Sequence, residues 1–176
     1  KKIDQVSDIF NFDINKIPFI PDIIWASPPC TTFSIAGIRH HFNIDGTPKS
    51  SDAVMGIKIV KRTLEIIEQL SPKFYYIENP RGKLRKLSMA KNLMLRRDVT
   101  YCSYGENRMK PTDIWTNDFC WIPRSMCWNN NKNCHHESAP RGSMTGVQGM
   151  KNAYERSRVP KELCLEILEG VQCKKN

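Results

Sequence analysis

No apolar run in the sequence approaches the roughly 20 residues that cross a bilayer, which excludes a membrane-spanning helix. The first residues, Lys1-Lys2-Ile3-Asp4, lack the hydrophobic stretch of a signal peptide. Both absences predict a soluble protein of the cytoplasm. No internal repeat and no long linker is present. The seven cysteines include no Cys-x-x-Cys pair. Their odd number and the missing secretion signal predict reduced thiols rather than a disulfide framework. No Gly-rich strand-to-helix turn precedes the first strand-like segments, so the chain enters its fold abruptly. Acidic residues are scarce: 18 Asp and Glu face 27 Lys and Arg, a net charge of +9. That imbalance favours a polyanionic partner, because each neutralised phosphate releases counterions.

What is present suffices for one domain with a core, at 176 residues of which 40% are hydrophobic. Residues 9–12 and 23–26 read as short strands. Residues 31–50 are loop-like. Ser51 then caps a helix whose Val54, Ile57, Val60, Leu64, Ile67 and Leu70 recur at helical spacing, and Ser71-Pro72 ends it. Residues 74–77 read as a buried strand, 86–95 as a second helix, and 99–103 and 113–116 as further strands. Residues 118–150 are irregular. A last helix covers 160–171, with Pro160 in its first turn and Leu163, Ile167 and Leu168 on one face. This alternation predicts an α/β fold with a mostly parallel sheet.

Two of the strands run into chemically suggestive tripeptides, Pro28-Pro29-Cys30 and Glu78-Asn79-Pro80. In a parallel sheet both would leave the same edge, where ligand sites of such folds lie. Each piece alone is ordinary. A cysteine after a strand is usually a small core hydrophobe, and a glutamate there is usually solvated. The pairing, with two prolines stiffening the thiol's loop, points to a nucleophile and a carboxyl sharing one pocket.

The run Asp22-Ile23-Ile24-Trp25-Ala26-Ser27-Pro28-Pro29-Cys30-Thr31-Thr32-Phe33-Ser34 resembles the Pro-Cys motif of DNA (cytosine-5) methyltransferases. Tyr76-Ile77-Glu78-Asn79-Pro80 resembles their Glu-Asn motif, with Pro80 where valine is more usual. Ser7-Asp8-Ile9 is similar to the acidic motif at the cofactor's adenine, and Asn107-Arg108-Met109-Lys110 is similar to the Arg-rich motif. The resemblance covers most of residues 4–118 and is nearest to phage and viral members. It implies a Rossmann-like fold that binds S-adenosylmethionine, flips cytosine out of double-stranded DNA and methylates C5. Cytosine C5 is a poor nucleophile, but a thiolate adding to C6 turns the ring into an enamine. A protonated carboxyl bonding N3 stabilises the resulting charge. By the resemblance Cys30 is the nucleophile, Glu78 the N3 partner and Asn79 an orienting group. Arg108 binds the C2 carbonyl or holds Glu78. Asp8 and Ile9 hold adenine, and Pro28 lines the methyl-donor site. Arg39, Lys49, Lys110 and Arg141 are the expected DNA contacts, and a monomer is expected.

Three departures from the family pattern set further expectations. The Gly-rich cofactor turn and the acidic residue that follows it are not found ahead of residue 22. The sheet is therefore expected to be N-terminally incomplete, and a catalytically inactive methyltransferase fold that binds DNA or a partner stays open. RNA as substrate also stays open. The catalytic core is expected over residues 1–118. A small Cys/His-rich region over 119–155 takes the place of target recognition, and residues 156–176 return to the core as a helix. Within the irregular region Cys120, Cys127, Cys134 and His135 could form a tetrahedral zinc site. Genome protection and regulation both remain open as biological roles.

Overall fold

The computed structural model describes residues 6–139 and 152–173, so Arg141 lies outside the described residues. The chain forms two compact units, Lys1–Arg96 with Asp113–Asp118, and Arg97–Thr112 with Phe119–Asn176. Four strands, β1 (Ile23–Ala26), β2 (Phe74–Pro80), β3 (Leu95–Thr100) and β4 (Pro111–Thr116), make one sheet in the order β1-β2-β4-β3. β1 and β2 are parallel, with Ile23 opposite Phe74 and Ala26 opposite Ile77. The sheet as a whole is mostly antiparallel, which corrects the mostly parallel arrangement expected from the alternation of elements. The cause is the short connection from β3 to β4. Residues 101–110 hold only a single 3-10 turn, Tyr101–Tyr104, and Tyr101 N–H donates across the connection to Met109 O at 2.8 Å. A parallel return needs a crossover of a dozen or more residues.

The connection from β1 to β2 is long enough for a crossover, and it carries a short helix α1 (Ile38–His41) and the 20-residue helix α2 (Ser51–Leu70). Ser50, not Ser51, caps α2, its Oγ accepting from Ala53 N at 3.1 Å. The helix ends at Ser71 in the left-handed conformation, whose N–H reaches Ile67 O. Its buried stripe is Ala53, Gly56, Val60, Thr63 and Ile67, rotated from the expected one toward smaller residues; Val54 is exposed. The stripe packs with Phe33, Ile77, Leu84 and Trp115 to form the core of the first unit. Trp25 stacks on Tyr76 at 6.2 Å, and the Tyr76 hydroxyl donates to Asp118 at 2.7 Å. Burial, then Asp118, pushes that phenol's pKa upward. Arg85 closes a two-pronged ion pair on fully buried Asp113, with Nε 2.8 Å from Oδ2.

Two sequence expectations fail for local reasons. Residues 9–12 form a turn rather than a strand, because the Asp8 carboxylate accepts from Phe10 N at 2.8 Å and Asp8 O from Asn11 N at 3.0 Å. The expected helix over 86–95 shrinks to a 3-10 turn, Leu84–Lys86, and α3 (Ser88–Lys91), since β3 already begins at Leu95. In the second unit, α4 (Ala153–Ser157) precedes α5 (Lys161–Cys173), where Leu163, Ile167 and Val171 are buried and Leu168 is exposed. No helix among the described residues is long and apolar enough to cross a membrane.

Candidate active site

Because Ala26 lies opposite Ile77 in a parallel pair, the chain leaves β1 toward Cys30 beside the last residues of β2. Glu78 and Asn79 are both buried there, Asn79 completely. The Asn79 amide Nδ2 donates to Pro28 O at 2.9 Å, which joins the two motifs directly. Asn79 Oδ1 is buried and has no hydrogen-bond partner among the described residues. Beyond the thiol the chain turns sharply, with Phe33 N and Ser34 N both donating to Cys30 O at 3.0 and 2.9 Å. Phe33 is then fully buried, and its carbonyl accepts from Lys83 N at 2.7 Å. The segment after Glu78 therefore grips the Cys30 loop on both sides, through Asn79 before the thiol and Lys83 after it. Gly82 makes the second grip possible. A Cβ there would lie 2.1 Å from Phe33 O. Gly56 on α2 does the same for Thr32, whose Oγ1 would sit 2.8 Å from an added Cβ. Held in this way, Cys30 is half-buried, with Pro28 buried and Pro29 exposed beside it.

Two cavities of the first unit involve residues singled out in the sequence. One, of about 400 Å³, is lined by Ile9, Ile24, Ala26, Ser27, Pro28, Pro29 and the inner face of α2. It brings Ile9 and Pro28 together. Arg62 holds Ile9 in place by donating to Ile9 O and Phe12 O at 3.4 and 3.2 Å. Asp8 does not line this cavity; it is exposed and turned back on its own backbone. The other cavity, of about 640 Å³, is lined by Ile38, Arg39, Phe42, Asn43, Ile44, Lys49, Lys83 and Lys86. It gathers four cations, of which Arg39 and Lys49 are expected from the sequence. Lys83 and Lys86 are not among those expectations, although the run Arg81-Gly82-Lys83-Leu84-Arg85-Lys86 close after the Glu-Asn motif is a readable signal. Nearby Asp45 is held below the usual carboxylate range, chiefly by Thr47 N–H, with Lys83 contributing least.

The remaining candidates belong to the second unit. Arg108 is buried and donates to Glu155 O and to Glu106 Oε2, both at 2.9 Å. Lys110, also buried, donates to Arg156 O at 3.1 Å and lies 4.4 Å from the Tyr101 ring centroid. The sulfur ligands expected from the sequence separate. Cys120 is exposed, and His135 Nε2 sits 3.0 Å from Glu106 O. Cys127 and Cys134 instead meet Cys102 and His136, with all four donor atoms within 4.8 Å of one another. Cys102 is distant in sequence from the other three, and spacing alone does not choose between adjacent His135 and His136.

The family model for C-5 cytosine-specific DNA methylases matches residues 1–93, the stretch that contains Cys30, Glu78 and Asn79. The chain belongs to this family. A protein of Frog virus 3 (isolate Goorha), named "Probable DNA (cytosine-5)-methyltransferase", is 27% identical over 179 residues, covering 92% of this chain and 82% of that protein. By family this methylase is an enzyme of DNA cytosine-5 methylation, with DNA as substrate and S-adenosylmethionine as the implied methyl donor.

Replacing Asn79 by Ala removes the bond between the motifs and leaves the buried Pro28 carbonyl without this donor. The expected cost is about 1–3 kcal/mol in urea unfolding. The same change should lower methylation at temperatures where the variant remains folded. Unchanged stability together with unchanged turnover contradicts the role given to this bond.

Proposed function

We propose that this methylase transfers a methyl group to C5 of cytosine in double-stranded DNA, with Cys30 as the nucleophile and Glu78 as the acid at N3. The observation that carries this reading is the Asn79–Pro28 hydrogen bond, which ties the Cys30 loop to the strand end bearing Glu78. The Cys30 thiolate adds to C6 and forms a carbon–sulfur bond, while the electron pair of the C5–C6 double bond moves toward C5. Glu78 bonds N3 with its proton and offsets the negative charge that builds on the ring. When bound, S-adenosylmethionine would supply an electrophilic methyl group to C5, its sulfur–methyl bond breaking and the neutral thioether leaving as S-adenosylhomocysteine. Transfer of the C5 proton to solvent water then re-forms the C5–C6 double bond, and the carbon–sulfur bond breaks with its electron pair returning to Cys30 as thiolate. Asn79 acts by position, keeping Pro28 and hence the thiol in register with Glu78.

The apolar cavity at Ile9, Ile24 and Pro28 fits the adenine face and aliphatic parts of that methyl donor. Among the described residues no carboxylate lines it to hold a ribose, so the fit covers the apolar parts alone. Arg39, Lys49, Lys83 and Lys86 form a site of the right sign for phosphates flanking an extruded base. Arg108 and Lys110 receive no catalytic role in this reading, since both are engaged within the second unit. Residues 119–155 are assigned to target recognition.

Two outcomes are expected. Cys30→Ala abolishes incorporation of labelled methyl groups into duplex DNA, and Glu78→Gln lowers kcat by about 100-fold or more while leaving the unfolding curve in place. Methyl transfer by Cys30→Ala removes the thiol from the mechanism. The double change Arg39→Ala with Lys49→Ala weakens duplex binding across sequences. It also reduces the slope of log affinity against log salt by about 2. An unaltered slope excludes this cavity from the DNA interface.

A further inference from the structure

We infer that Cys102, Cys127, Cys134 and His136 form a structural zinc site that holds residues 127–139 in place. This assignment is independent of the methyl-transfer reading. Zinc takes thiolates at about 2.3 Å and imidazole nitrogen at about 2.0 Å, so neighbouring donors of a tetrahedral site lie roughly 3.8 Å apart. Cys127 Sγ is 3.7 Å from His136 Nδ1, and all four donors fall within 4.8 Å of one another. The set of three thiols and one imidazole is a common structural zinc set, whereas calcium and magnesium prefer oxygen ligands.

The surroundings favour an ion over simple packing. Residues 119–139 contain no helix or strand. The first part of the segment is held by protein groups: Trp121 Nε1 donates to Glu166 at 3.1 Å, and Arg124 bridges Glu162 and Glu166. From residue 127 to 139 the one buried side chain is His136, an imidazole turned toward thiols. Its second nitrogen, Nε2, is buried with no hydrogen-bond partner among the described residues. A segment with so little apolar burial is not held by a hydrophobic core of its own, and a bound ion supplies the missing energy. Outer contacts also match those around a metal thiolate. Asn131 Nδ2 donates to Cys127 Sγ at 3.3 Å, and Cys127 N is fixed on Thr100 Oγ1 at 2.9 Å.

The test is elemental analysis of the purified full chain, followed by exchange of the bound metal for cobalt(II). The expected result is one zinc per chain and the visible spectrum of tetrahedral, sulfur-ligated cobalt. Cys127→Ser and His136→Ala should bind the metal at least about tenfold more weakly. Cys120→Ser and His135→Ala should bind it as the parent does, which distinguishes the site from adventitious binding even where a ligand variant fails to fold. Absence of stoichiometric metal overturns the assignment. So does a disulfide between any two of the three cysteines, trapped by alkylation at lysis, or metal retained in full by Cys127→Ser.

Discussion

A single side-chain amide sets the geometry on which the site depends. Parallel pairing of β1 and β2 brings two strand ends to one edge, but a strand end does not fix the loop beyond it. Asn79 does so by donating from a fully buried position to the carbonyl of Pro28, two residues before the thiol. In an interior of low dielectric such a bond is costly to break, because the carbonyl cannot turn to water. The second grip, Lys83 N on Phe33 O, fixes the loop after the thiol and depends on Gly82 having no side chain. Under the proposed mechanism, a thiol carried between two such points loses little freedom when it meets its substrate.

The environment of this loop divides by chemistry. One cavity, on the α2 side, is apolar and includes Ile9 and Pro28. Another is lined by Arg39, Lys49, Lys83 and Lys86 and suits a polyanion. The methylase family needs both kinds of surface, one for an adenine-bearing methyl donor and one for the DNA backbone. Lys83 belongs to the clamp through its backbone and to the basic cavity through its side chain, so the residues that position the thiol are continuous with those suited to hold phosphates.

Much of this was legible in the sequence, for identifiable reasons. Periodicity located α2 and α5, which bury a regular face, and the short apolar runs located β1 and β2. The two tripeptides were legible because proline, cysteine and a Glu-Asn pair rarely follow buried strands together. Local hydrogen bonding was not legible: the Asp8 side chain turns residues 9–12 away from a strand, and Ser50 displaces Ser51 as the cap. The sheet's direction was misread because alternation of elements says nothing of how short a connection is, and residues 101–110 allow only a tight reversal. The Cys/His cluster was half legible. Cys127 and Cys134 are near in sequence, but Cys102 joins them only through the fold.

The central claim is that one particular sulfur, Cys30, bonds to the cytosine ring. Its most direct test is peptide mapping of the complex formed on duplex DNA carrying 5-fluorocytosine, in the presence of S-adenosylmethionine. Fluorine at C5 cannot leave as a proton does, so the carbon–sulfur bond persists after methyl transfer. The account predicts a nucleotide adduct on the peptide containing Cys30. An adduct on any other cysteine, or none from a preparation that methylates the unfluorinated duplex, contradicts it.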